Sequence, residues 1–267
     1  MAGIIDIHTH AFPDPIAKIA IPALEREGNI KAYLNGTVAG LLQSMDRSGV
    51  EQSVLCSIAT RPEQFTPILE WCKAVRSERI IPFPSLHPED PDLLEHVQLI
   101  HDAGFKGVKM HSYYQDYVLD DSRLNELYET MSELGTILVI HAGYDIAFPR
   151  VRKADPQRIL KVCRQFPKLK LIATHLGGWD EWADVRALLT GEPIYMEISF
   201  ALDFLDQKRL RDILLNHPAE YLLFGTDSPW TDQATTLKML AKLGLPDALF
   251  DQIVSGNAHR LLGGSKT

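Results

Sequence analysis

The chain has 267 residues, a formal charge of 27 − 35 = −8, and 45% apolar and 23% charged residues, the composition of one globular domain. It is slightly longer than the roughly 250 residues of a (β/α)8 barrel. The acidic balance argues against nucleic acid as a main partner, and no apolar run approaches the roughly 18 residues of a membrane span. Three cysteines without a CxxC spacing, and an N-terminus without a signal-peptide pattern, predict reduced thiols and a cytoplasmic location.

The first predicted strand is Gly3-Ile4-Ile5-Asp6-Ile7-His8-Thr9-His10. Alternation places His8 and His10 on one face with Asp6 beneath them. The segment 11–36 is long for a connection and reads as a lid insertion. A helix over 37–48 precedes a strand over 51–58. Helix 63–77, strand 80–86, helix 92–103 and strand 105–110 follow, with Gly104 as a helix stop. Helix 122–134, stopped by Gly135, leads to strand 136–140 and His141. Asp155-Pro156 opens helix 155–166, and strand 169–174 runs into His175. Helix 181–189, strand 194–198, helix 207–216 and strand 221–224 come next, the last running into Gly225-Thr226-Asp227. Helices over 235–243, 247–254 and 257–261 close the chain.

Eight strands alternating with helices predict an α/β protein, a single-domain (β/α)8 TIM barrel spanning 1–267 with extra C-terminal helices. No G-x-G-x-x-G follows the first strand, which counts against a dinucleotide fold. In such barrels chemistry sits at the C-terminal strand ends. His8 and His10 end strand one, Lys109 and His111 strand four, His141 strand five, His175 strand six and Asp227 strand eight. The other three ends offer nothing comparable, with His87 past strand three a partial exception that reads as a loop residue before Pro88. One barrel mouth cannot cheaply satisfy four buried imidazoles and a carboxylate without a metal. Lys109 has two readings: an ion pair with Asp227 or Asp6, or carboxylation by CO2 to an anionic carbamate. His96, His101, His217 and His259 lie on or beside helices and read as structural or surface residues. Tyr113, Tyr114, Gln115 and Tyr117, together with Tyr144, Trp179 and Trp230, follow strand ends and either wall the pocket or pack on the rim. Arg150, Arg152 and Lys153 either suit an anionic substrate or form a solvated patch.

Asp6-Ile7-His8-Thr9-His10, Gly107-Val108-Lys109-Met110-His111, Ile140-His141-Ala142-Gly143, Thr174-His175-Leu176-Gly177-Gly178 and Gly225-Thr226-Asp227-Ser228-Pro229-Trp230 resemble the amidohydrolase superfamily of metal-dependent TIM-barrel hydrolases. The tail Gly256-Asn257-Ala258-His259-Arg260-Leu261-Leu262 is similar to that of its compact amidohydrolase-related branch. The resemblance spans nearly the whole chain. It implies that His8, His10 and Asp227 hold one divalent metal, with His141 completing a mononuclear site. In binuclear members a carboxylated Lys109 bridges, and His141 and His175 hold the second ion. In mononuclear decarboxylase-like members the position of His175 is an acid/base or substrate contact. Zinc is the expected metal, with manganese as the alternative. TatD-like nucleases share the HxH but usually place Glu at strand four, so Lys109 and the net charge count against them.

Three functions follow in order. The first is hydrolysis of an amide, lactone or ester of a small molecule by a metal-activated water, with Asp227 and His175 as catalytic residues and His111, Tyr113, Tyr144 and Trp230 as substrate contacts. The second is decarboxylation of an aromatic or unsaturated acid on the same site. The third is a non-catalytic metal-binding barrel. The expected partner is a small molecule, with an anionic substrate and a homo-oligomer left open.

Overall fold

The computed structural model describes residues 3–263. Within them, β1 (Ile4–Thr9), β2 (Val50–Cys56) and β3 (Ile80–Phe83) form one parallel sheet in chain order. A second contains β4 (Gly107–Met110), β5 (Ile137–Ile140), β6 (Lys170–Ala173), β7 (Tyr195–Glu197) and β8 (Leu222–Leu223), also in chain order. Backbone bonds across the two seams close them into a barrel. Lys109 N–H donates to the Pro84 carbonyl between β3 and β4. Ile7 N–H donates to the Phe224 carbonyl, and Asp227 N–H to the His8 carbonyl, between β8 and β1.

Twelve α-helices surround the strands: α1 (Asp14–Gly28), α2 (Val38–Ser48), α3 (Phe65–Val75), α4 (Leu93–Asp102), α5 (Asn125–Leu134), α6 (Pro156–Gln165), α7 (Trp182–Leu188), α8 (Ala201–Phe204), α9 (Gln207–Asn216), α10 (Gln233–Lys242), α11 (Asp247–Asp251) and α12 (Asn257–Leu261). Their starts follow side-chain chemistry. Thr37 Oγ1 accepts from Gly40 N–H to cap α2, and the Asp155 carboxylate accepts from the N–H groups of Gln157 and Arg158 to cap α6. Asp155 is buried and its cap fixes the return from β5 to β6, so Asp155→Ala is expected to cost about 1 kcal/mol in urea unfolding.

The segment 11–36 is largely helical: 15 of its residues form α1, with Pro15 in the first turn where a missing N–H costs nothing. One expectation needs correction. The single helix expected over 247–254 is α11 followed by a π-turn over Gln252–Gly256 that runs into α12. No helix among the described residues is long and apolar enough to cross a membrane.

The barrel is filled by Ile5, Ile7, Val54, Cys56, Phe83, Val139 and Ile172, with Leu261 and Leu262 packed against them. Strand register then positions the site. Met110 pairs with Ile140, and Ile140 with Ala173, so the residues just beyond these ends emerge on one rim. His111 and His141 stack there with ring centroids 4.2 Å apart, and Lys109, one layer down, pairs with Val139.

Candidate metal centre

β1 does not alternate strictly. Its pairing with β2 slips between Asp6 and Thr9, and past Ile7 the chain turns both His8 and His10 into the mouth. Asp6 is not beneath them as alternation predicts. Its carboxylate accepts from His8 N–H, from the N–H and hydroxyl of Thr226 and from Gln233 Nε2 of α10. Asp6 therefore ties β1 to the loop that carries Asp227. Burial pushes its carboxyl up to about 7, against the hydrogen bonds from Thr226, Gln233 and His8 that favour the ionised form.

The hydrogen-bond partners assign the imidazole tautomers, since carboxylate and carbonyl oxygens only accept. His8 Nδ1 donates to Glu197 Oε1 at 3.0 Å, and His10 Nδ1 donates to the Cys56 carbonyl at 2.8 Å. Each ring then presents an Nε2 lone pair, and these two nitrogens are 3.1 Å apart. Asp227 Oδ1 lies 3.0 Å from His10 Nε2 and 3.4 Å from His8 Nε2. Opposite, the Ser199 hydroxyl gives its one hydrogen to Glu197 Oε1 at 2.7 Å and so accepts from His175 Nδ1 at 2.9 Å. His141 Nε2 donates to the Tyr144 carbonyl at 2.9 Å. His175 Nε2 and His141 Nδ1 are then also facing lone pairs, 3.1 Å apart.

Facing lone pairs repel unless a cation stands between them. Protonation does not supply it, because burial holds His8, His141 and His175 below the ordinary imidazole range. The donor set therefore fits divalent metal: two nitrogens and a carboxylate on one side, two nitrogens on the other. His8, His10 and Asp227 form one group whose ligand atoms all lie within 4.8 Å of one another.

Lys109 Nζ is 3.2 Å from His8 Nε2. It is 1% exposed, and among the described residues it forms no ion pair, so neither Asp227 nor Asp6 neutralises it by contact. Burial lowers its pKa and favours the neutral amine.

Sequence reasoning missed two carboxylates. Glu197 ends β7, fully buried, and one oxygen orients both His8 and, through Ser199, His175, while also accepting from His175 N–H. Strand seven is thus not empty; a glutamate inside the apolar run 194–198 was the available signal. Asp145, four residues past His141, is held below the usual carboxylate range, where the His111 and His141 rings outweigh the opposing effect of burial. Glu197→Gln removes the charge behind His8 and is expected to weaken metal binding about 10-fold or more in chelator competition.

The site opens into a cavity of about 990 Å³, counting its open mouth. Tyr114, Tyr144, Trp179, Phe200 and Trp230 wall it, with Phe12, Leu24 and Ile30 contributed by the 11–36 segment. His111, Tyr144 and Trp230 are placed in it as expected. Tyr113 is not: its hydroxyl donates to the Val151 carbonyl, and Tyr114 takes its place in the wall. Gln115 is spent on the carbonyls of Ala59 and Leu86, and Tyr117 is buried outside the cavity. Arg150 pairs with Asp180, Arg152 with Glu181 and Asp184, and Lys153 with Asp116; none lines the cavity.

The family model described as Amidohydrolase matches residues 5–264. The chain belongs to the amidohydrolase family. No curated protein matches it. Among solved structures, a TIM-barrel protein from Bordetella bronchiseptica is 19% identical with a TM-score of 0.80, covering 98% of each chain. A 5-carboxyvanillate decarboxylase from Sphingomonas paucimobilis is 14% identical with a TM-score of 0.72, covering 98% of this chain and 99% of that one. A dihydroxybenzoic acid decarboxylase from Polaromonas sp. JS666, holding manganese and 2-nitroresorcinol, is 17% identical with a TM-score of 0.74, covering 100% of this chain and 98% of that one. At these identities the likeness establishes the TIM-barrel fold that this amidohydrolase-family chain shares with them.

Proposed function

We propose that this chain is a metal-dependent hydrolase of an amide, lactone or ester carbonyl in a small molecule, built around two divalent ions. The observation that carries the reading is Lys109, a buried amine without a carboxylate partner, 3.2 Å from one member of the first histidine pair. A neutral amine adds to CO2, forming an N–C bond and releasing one proton, and the product is an anionic carbamate. That would convert Lys109 into a second anionic oxygen ligand beside Asp227. His8, His10 and Asp227 would hold one ion, His141 Nδ1 and His175 Nε2 the other, with Lys109 shared. Zinc suits the nitrogen-rich set, and manganese becomes competitive once the carbamate adds oxygen.

Such ions supply Lewis acidity toward a carbonyl and lower the pKa of water from 15.7 to about 7. The chain's own work is proton transfer and orientation. Asp227 Oδ1, at the meeting point of His8 and His10, accepts the proton of the attacking water and delivers it to the leaving group. Glu197 and Ser199 hold His8 and His175 in the tautomers described. The 11–36 segment, through Phe12 and Leu24, excludes water as a lid.

A second reading, decarboxylation of an aromatic acid, is favoured by the aromatic walls and by the decarboxylases among the fold relatives. Metal content per chain, with turnover of a lactone, ester and amide panel against 2,6-dihydroxybenzoate and 5-carboxyvanillate, separates them. Two ions and hydrolysis support the first reading. One ion, an unmodified Lys109 mass and CO2 release replace it with the second. A metal-free protein after loading with zinc or manganese overturns both.

A further inference from the structure

The far wall of the cavity contains a carboxylate outside the two ligand sets described above, Asp145, which lies with His111 and His141 in a group whose ligand atoms are all within 4.8 Å of one another. Asp145 lines the cavity on the edge of the His141 ring opposite the nitrogen that faces His175. Its Oδ1 accepts from Ala147 N–H at 2.8 Å. Its Oδ2 has one long donor, His111 Nε2 at 3.4 Å, with His141 Nε2 3.7 Å away. Both exceed an ordinary N–H···O distance, and the hydrogen of His141 Nε2 is already committed to the Tyr144 carbonyl. The Asp145 side chain is only 11% exposed, so this oxygen has exchanged most of its water for one long hydrogen bond and one ring edge, and has lone-pair capacity left. A desolvated acceptor in a binding cavity is satisfied by a donor from the ligand.

The other charges agree. The nearby cations Arg150, Arg152 and Lys153 are each neutralised outside the cavity by acidic partners. Lys109, the lysine that does line it, sits at the metal end against His8. Nothing beside Asp145 would receive a carboxylate or phosphate, and Asp145 would repel one. Tyr144, next in the chain, and Tyr114, whose ring centroid is 4.7 Å from that of His111, give this end aromatic walls.

We infer that Asp145 is a specificity-determining residue that selects an aromatic or similarly apolar substrate carrying a hydrogen-bond donor, an amine above all, at the end remote from the reacting carbonyl. The inference rests on the metal-centred reading for which end reacts. A donor group hydrogen-bonds Asp145 Oδ2 with charge assistance, whereas a second carboxylate there meets like charge.

The test uses zinc-loaded protein and benzohydroxamates, whose hydroxamate anchors on metal, carrying a meta aminomethyl, methyl or carboxylate group. In wild type the aminomethyl probe is expected to bind about 10-fold tighter than the methyl probe, and the carboxylate probe weakest. In Asp145→Asn, which keeps an oxygen for Ala147 N–H, the aminomethyl advantage disappears and methyl binding holds. Equal or tighter binding of the carboxylate probe in wild type, or an unchanged ranking in the variant, overturns the inference. Unsubstituted benzohydroxamate failing to bind zinc-loaded protein counts against the metal reading instead. The inference is then decided on chelator-treated protein by benzylamine against benzoate, read by the fluorescence of Trp179 and Trp230. An Asp145-dependent preference for the amine supports it, and its absence overturns it.

Discussion

Lys109→Met is expected to abolish turnover, by a factor of about 10³ or more, while leaving a folded barrel with at most one ion per chain. The substitution conserves shape and removes a desolvated nitrogen from the barrel interior, so thermal stability should hold or rise. That separates loss of chemistry from loss of fold. A shorter variant, Lys109→Ala, leaves a space beside His8 that a small carboxylate can enter. Acetate or propionate should then restore part of both metal content and activity, because it supplies the anionic oxygens the carbamate provided. Mass spectrometry of the wild-type chain under CO2 should show a labile gain at Lys109. Full activity in Lys109→Met would eliminate the two-ion hydrolase reading and leave the one-ion site of His8, His10 and Asp227.

The part of this site that can be read from sequence is the part carried on strand ends. His8, His10, His141, His175 and Asp227 each follow a short apolar run, and a barrel has one place to put such residues, its C-terminal mouth. Lys109 was visible for the same reason, as a charge inside a strand. What the sequence hid depends on register and tautomer. The slip in β1 that re-aims His8, and sends Asp6 to Thr226 and Gln233, has no local signature in Ile5-Asp6-Ile7. Glu197 looks like an interruption in a strand until its oxygen is seen facing His8 Nδ1. The exchange of Tyr113 for Tyr114 in the cavity wall is a rotation of one residue in a turn, beyond the resolution of any periodicity argument. α1 was obscured by its prolines, Pro15 and Pro22, the second of which lies inside the helix and breaks the usual pattern.

Asp227→Asn should produce the other large loss, and its kinetic form should differ from that of Lys109→Met. Asp227 is placed by backbone as much as by side chain: its N–H donates to the His8 carbonyl, and it occupies a left-handed conformation with φ 58°. Asparagine tolerates that region better than most residues, so the loop should keep its shape. Its amide retains one oxygen near His8 and His10 but cannot accept a proton from water. The expected result is a fall in kcat of about 10²- to 10⁴-fold with KM changed by less than about threefold, since a group that acts only as the proton moves contributes little to ground-state binding. Metal affinity should also weaken, because a charged oxygen 3.0 Å from His10 Nε2 becomes neutral, and saturating zinc in the assay removes that contribution. A variant that regains wild-type kcat at saturating zinc would show Asp227 to be a ligand alone and would transfer the proton to His175. In His175, Nδ1 donates to Ser199, so Nε2 is the nitrogen available for that proton in a one-ion site. His175→Gln measured beside Asp227→Asn therefore tells the two carriers apart. A loss of kcat in His175→Gln that comes with a fall to one ion per chain fits the two-ion site, and a loss of kcat at unchanged metal content fits the one-ion site.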